Sequence, residues 1–296
     1  VFDITSKEIP TMRDLLELDS VQEYLDRFEG DTLISTEELL QINAKKDSGI
    51  SLLAPCDFQA IKACGVTFAK SMVERVIEER AQGDLKEAEK LRSHIGLILG
   101  NSLRDIVPGS DKALEVKKVL IEEGLWSQYL EVGIGQDAEI FTKAQPLSPV
   151  GYNAEIGLHP SSNWNNSEPE MVLAVNSKGI IKGATLGNDL NLRDIEGRSA
   201  LLLGKAKDNN ASCSIGPFIR ILDESYTLKS IKTAEIKLKI SGKDGFNYSG
   251  LSKMSEISRS PEDLVNQVCD RHHQYPDGFM LFLGTMAAPT EDRDVP

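Results

Sequence analysis

"EPEMVLAVNSKGIIKGATLGNDLNLRD" spans residues 168–194 and reads as a strand, a tight turn, a returning strand and a polar loop. The apolar run MVLAV gives way to NSKG, which carries turn chemistry, and IIKGATLGND brings the chain back antiparallel. Acids mark one end of this hairpin: Glu168 and Glu170 flank Pro169 where the first strand begins, and Asp189 lies where the second one ends. Side chains two apart on a strand share a face, so the two glutamates project together. Pro169, tolerated at the start of a strand, turns the other way. The antiparallel return brings Asp189 within reach of both, although it stands 19 positions beyond Glu170. Ionised carboxylates on a buried hairpin are costly unless paired or metal-bound. Three of them without His or Cys suit a hard cation, Mg²⁺ or Mn²⁺, with water or substrate completing an octahedron. Taken alone, these residues also permit a solvated strand start with Asp189 as a turn residue.

Working outward, the texture after Trp126 is Gly- and Pro-rich, with two-residue alternation in AEIKLKI and FMLFLGT, which predicts a mostly β body from about residue 130 onward. Before it, SLLAPCDFQAIKACGVTF from Ser51 reads as a short strand, a connection and a second strand. A strongly helical stretch follows, FAKSMVERVIEERAQGDLKEAEKLRSHIG, with a break expected at Gly83. KALEVKKVLIEEGLW predicts an amphipathic helix stopped by Gly124. Residues 1–50 are acidic and helical in pattern, with a capping-box signature at STEELL. The expected organisation is therefore α+β: a small N-terminal subdomain over 1–50, and a body over 51–296 that is mostly β at its C-terminal side and carries a helical insert.

The 296 residues carry 33 basic and 46 acidic side chains, a formal net charge of −13. Such a surface argues against nucleic acid, and an anionic substrate would need local cations to bind. No apolar run is long enough to span a membrane. The opening VFDITSKEIP has neither the basic nor the apolar region of a signal peptide, and it lacks Met. Cys56, Cys64, Cys213 and Cys269 show no paired spacing and read as isolated thiols of a cytoplasmic protein.

The ExE, the hairpin, "GNDLNLRD", "GKAKDNNASCSIGPF" and the late Gly284-Thr285, in that order, resemble the fumarylacetoacetate hydrolase superfamily. The resemblance covers about residues 51–296. Within it, "LLAPCDFQAIKACGVTFAKSMVERVIEERA", "EGLWSQYLEVGIGQDAEIFTKAQPLS" and "RSALLLGKAKDNNASCSIGPF" look closest to the sugar-acid dehydratases that act on 2-keto-3-deoxy-pentonates. It implies Glu168, Glu170 and Asp189 as ligands of Mg²⁺ or Mn²⁺, and Lys207 as the pocket cation. Lys207 is chosen over Lys205 by its distance from Gly216-Pro217. The resemblance also places Lys143 and Thr285 at substrate-binding positions, implies a homodimer or dimer of dimers, and makes the C-terminal end look truncated.

One departure bears on the reaction. The superfamily's C–C bond hydrolases carry a His and a Glu three apart on a short helix, to activate water. In GVTFAKSMVE, Ser71 takes the His position and Glu74 keeps the Glu. Three apart, they share a helical face, but without imidazole the water-activating pair is lost and one carboxylate remains to move a proton. His94, His159, His272 and His273 offer no evident substitute. The expected activity is dehydration of a 2-keto acid, with Lys207, Glu74 and Ser71 as catalytic residues and a desolvated Lys207 of lowered pKa. An acylpyruvate hydrolase or oxaloacetate decarboxylase on the same metal site, and a non-catalytic binding module for sugar acids, are the alternatives. Ser71 and Glu74 are further expected to ride on a lid, since the helix after them shows few apolar anchors.

Overall fold

The structure, a computed structural model, describes residues 1–43, 51–68, 72–73, 76–77, 80–81, 85–99 and 106–287. Its strands are β1 (Ala60–Gly65), β2 (Glu139–Ala144), β3 (Asn165–Asn166), β4 (Pro169–Val175), β5 (Ile181–Asp189) and β6 (Asn191–Leu192). They continue with β7 (Cys213–Ile221), β8 (Glu235–Ser241), β9 (Asn247–Lys253) and β10 (Phe279–Phe282). Six of them form one sheet in the order β2-β1-β10-β4-β5-β7, while β3 pairs with β6 and β8 with β9. All neighbours in the large sheet are antiparallel except β1 and β10, which run parallel.

The apolar runs of β4 and β10 do not alternate because both faces of the sheet are covered. Met171, Leu173, Val175, Phe279 and Leu281 pack with Leu264, Val265 and Val268 of the helix Pro261–Val268. On the other face Val172, Ala174, Met280 and Phe282 pack with Leu16 of the helix Met12–Glu17. The 168–194 reading holds: β4 pairs with β5 from Pro169↔Asn188 to Val175↔Ile181. Its turn is closed by Asn176, whose Oδ1 accepts from the amides of Lys178 (3.1 Å) and Ile180 (2.9 Å), with Gly179 at φ +73°.

The short strand expected from Ser51 is absent, and the chain is irregular until Ala60. Asp57 is engaged elsewhere, its carboxylate accepting from the amides of Met12 and Arg13 at 2.7 and 3.1 Å and so capping a helix N-terminus. The capping box at Ser35 is formed, with Ser35 and Glu38 each accepting from the other's backbone. The helix Asp111–Glu122 ends as expected, with Gly124 at φ +67°. The break at Gly83 lies outside the described residues. Far from lacking apolar anchors, the segment after Phe68 buries Met72, Val76 and Ile77 against Ile95, Leu120, Leu130 and Ile134.

Candidate metal centre

The acids stand at the open end of the β4–β5 hairpin, opposite its turn. Glu170 faces Gly187 across the two strands, and the Asp189 amide donates to the Glu168 carbonyl at 2.9 Å. Glu168, Glu170 and Asp189 are buried, and each offers an oxygen within 4.8 Å of the others'. Gly187 makes room for this end of the sheet, since a Cβ there would lie 2.4 Å from the Phe282 ring and 2.6 Å from Val172.

Two lysines enter the cluster. The short helix Leu203–Lys207 delivers Lys207, whose ammonium donates to Glu168 Oε2 at 2.6 Å and Asp189 Oδ2 at 2.9 Å. It also lies 5.7 Å from the centre of the Phe141 ring. Lys143, on β2, is fully buried, with Lys207 O at 2.6 Å, Leu190 O at 3.0 Å and Asp189 Oδ1 at 3.1 Å. The first two are hydrogen bonds and the third is an ion pair. Lys143 thus ties Leu190, between β5 and β6, and the Lys207 helix to Asp189.

Further residues set the acids' orientation. Asn188 Oδ1 accepts the Glu168 amide at 3.0 Å, and Asn191 Nδ2 bridges Glu168 Oε1 (3.1 Å) and Glu196 Oε2 (2.6 Å). Glu170 Oε2 accepts the Gly284 amide at 2.6 Å. Thr285, next in the chain, directs its hydroxyl to Ala287, accepting from its amide at 3.1 Å. Asn191 and Asn188 were within the quoted motif and their side-chain amides are the signal that could have found them. The Gly284 amide carries no signal in a sequence, because it is backbone. Ser71 and Glu74 lie outside the described residues.

Electrostatics follow burial. Desolvation, then Asp189 and Glu168, push the Glu170 carboxyl well above the ordinary range. Glu168 is also raised, burial first, with Lys207 opposing and Asp189 and Glu196 adding. Burial pulls the Lys207 ammonium down, but Asp189, Glu168 and Glu196 outweigh it and hold the ammonium more firmly protonated than usual. The lowered pKa expected from desolvation alone is therefore corrected to a raised one. Burial pushes the Cys56 and Cys213 thiols up to about 12, which removes them as nucleophiles.

The donor set fits a small hard cation. Only oxygens converge, Glu170 touches no ammonium among the described residues, and Asp189 Oδ1 lacks a well-aligned hydrogen bond. No helix of the described residues is long and apolar enough to cross a membrane.

A 2-keto-3-deoxy-D-arabinonate dehydratase complexed with magnesium and 2,5-dioxopentanoate superposes with a TM-score of 0.64 at 25% identity, over 92% of this chain and 78% of that one. The chain has the fold of that dehydratase. The apo form of a 2-keto-3-deoxy-D-arabinonate dehydratase gives 0.62 at 24% identity, over 90% and 75%. The α+β fold of the fumarylacetoacetate hydrolase type, expected from the sequence, is thereby borne out. Among curated proteins, the 2-dehydro-3-deoxy-D-arabinonate dehydratase of Saccharolobus solfataricus is 32% identical over 155 residues, 52% of this chain and 51% of that protein. The probable 2-keto-3-deoxyxylonate dehydratase of Haloferax volcanii is 31% identical over 178 residues, 59% and 58%. The chain thus spans a little over half the length of the curated relatives it matches. No family model matches it.

Proposed function

We propose that this protein dehydrates a 2-keto-3-deoxy-pentonate to 2,5-dioxopentanoate with the help of Mg²⁺ or Mn²⁺. The observation that carries the reading is the convergence of three buried carboxylates, two of which, Glu168 and Asp189, also hold the Lys207 ammonium. Three carboxylates against Lys143 and Lys207 leave one net negative charge in the site. A bound divalent cation makes that one positive charge, suited to a 2-keto acid monoanion, so an acidic protein gains a local anion site. The dehydratases similar to this chain, one of them bound to magnesium and 2,5-dioxopentanoate, support the same cofactor and product.

Glu168, Glu170 and Asp189 would hold the cation. When bound, it supplies a Lewis acid that a 2-keto carboxylate chelates, which acidifies the C3 proton. Glu74 is the candidate proton carrier that takes this proton, with Ser71 as the second candidate three positions before it in the sequence. Loss of the C4 hydroxyl as water leaves a C3–C4 double bond, a proton moved from C5 to C3 gives the C4–C5 enol, and transfer of the enol proton to C4 gives the aldehyde. Lys207, held protonated, offsets negative charge developing on the C2 oxygen, and Thr285 offers a hydroxyl for the substrate carboxylate. Ser71 in place of a His argues against the water-activated C–C cleavage of related hydrolases.

We take the working form to be a cytoplasmic homodimer or dimer of dimers, on the family resemblance and the four free cysteines. Incubating the protein with 2-keto-3-deoxy-D-pentonate, with and without EDTA, tests the activity by mass spectrometry. The expected product has lost one water and kept every carbon, and EDTA abolishes its formation. A product short of carbon, or no turnover with Mg²⁺ present, overturns the reading.

A further inference from the structure

The Leu283–Gly284 peptide is gripped from both sides. Its N–H donates to Glu170 Oε2 at 2.6 Å, and its carbonyl accepts the Thr67 hydroxyl, also at 2.6 Å. In a trans peptide these two groups point in opposite directions, so Thr67, one amide plane and Glu170 form a continuous hydrogen-bond chain. A donor on the carbonyl polarises the amide and strengthens its N–H toward the carboxylate. Thr67 and Glu170 are each 2% exposed and Leu283 is fully buried, so little water competes.

The peptide also needs an external hold. Gly284 has φ +88°, where only glycine is comfortable, and glycine tolerates the amide plane turned either way. Turned over, the Leu283 carbonyl would face the Glu170 carboxylate. The Thr67 hydroxyl rewards one orientation. It is itself fixed, because its backbone carbonyl accepts both the amide and the hydroxyl of Ser258 at 2.8 and 2.7 Å. The preceding Val66 holds φ +54°, a costly conformation for a β-branched residue and one that persists only where the surroundings enforce it. Gly284 and Thr67 fit each other closely, since a Cβ on Gly284 would lie 2.1 Å from Thr67 Oγ1.

We propose that Thr67 is a positioning residue for the cation site, orienting Glu170 through the Leu283–Gly284 peptide. The inference rests on reading the three carboxylates as a cation site. Loss of a partner that orients a ligating carboxylate costs about tenfold to a hundredfold in metal affinity. Thr67 acts through one intervening amide, and its loss is placed at the lower end of that range.

Mn²⁺ binding, followed by electron paramagnetic resonance and calorimetry, tests this on the wild type, Thr67→Val, Thr67→Ser and Glu170→Gln. The expected result is about tenfold weaker binding for Thr67→Val, near wild-type binding for Thr67→Ser, and a larger loss for Glu170→Gln. Restoration by serine separates hydroxyl positioning from loss of packing. Wild-type affinity in folded Thr67→Val overturns the proposal while leaving the cation site standing. Absence of Mn²⁺ binding in the wild type overturns the cation site itself, and this proposal with it. Should Thr67→Val not fold, Thr67→Cys, with a weak donor of similar size, takes its place under the same criteria.

Discussion

Without the Lys207 ammonium, Glu168, Glu170 and Asp189 would face one another with Lys143 as the one ammonium left in contact with them among the described residues. Removing one partner of a buried ion pair costs about 3–5 kcal/mol. Metal-free Lys207→Met should lose stability of that order in urea titration and recover much of it when Mg²⁺ is added. Its kcat should fall on the order of 10²-fold, as for a group acting on developing charge, and a change in KM alone would show a binding role only. A second residue reads out in pH. Asp194 accepts from Ser162 Oγ (2.5 Å) and the Asn163 amide (3.0 Å), and these bonds outweigh burial to hold its carboxyl below 3.8. A depressed carboxyl stabilises the fold above the unfolded pKa, and the contribution fades as pH falls through the folded one. Asp194→Asn should therefore cost about 1 kcal/mol at neutral pH, discounted for solvent, and the gap to wild type should close below pH 3.8 in acid unfolding curves. The three acids were legible because a period of two and one antiparallel return suffice to gather them. The tether of Lys143 was not, since it ends on two backbone carbonyls 47 and 64 positions away.

At the scale of elements, β5 has little slack at Gly187. A methyl at Gly187 meets Phe282 and Val172 within 2.6 Å, both held by the sheet's own register. Overpacking of this kind costs about 1–3 kcal/mol, so Gly187→Ala should lower the denaturant midpoint accordingly. An unchanged midpoint would mean that β5 can shift away from β10. The hairpin itself was readable, since its turn residues and apolar run act locally. The strand expected from Ser51 failed because its only specification was apolar, and the Asp57 carboxylate found a helix N-terminus instead. The helix Pro261–Val268 has local start signals, Ser260 as cap and Pro261 at its first turn, but it is short and lies between β segments whose alternation dominates the local pattern. The lid expected after Phe68 has buried anchors, a fact that exists only once the helical insert is packed.

For the molecule as a whole, any cation that binds the native site and not the unfolded chain must stabilise it. At a hundred times its Kd the gain is about 2.7 kcal/mol, so Mg²⁺ should raise Tm in a concentration-dependent way and EDTA should reverse the shift. Glu170→Gln should blunt that response. The sheet order carries a different consequence. Its central strand, β10, comes after every other strand of the described residues, yet it fills the gap between β1 and β4. During synthesis, β1 and β4 must wait with open backbone edges until the chain has grown past Phe282. Such edges recruit foreign strands, and contacts between distant parts of a chain form slowly. A ribosome-bound chain halted before Phe279 should therefore be rich in hairpin but without a complete acid cluster and should depend on chaperones, and release of β10 should be the event that closes the sheet around Glu170.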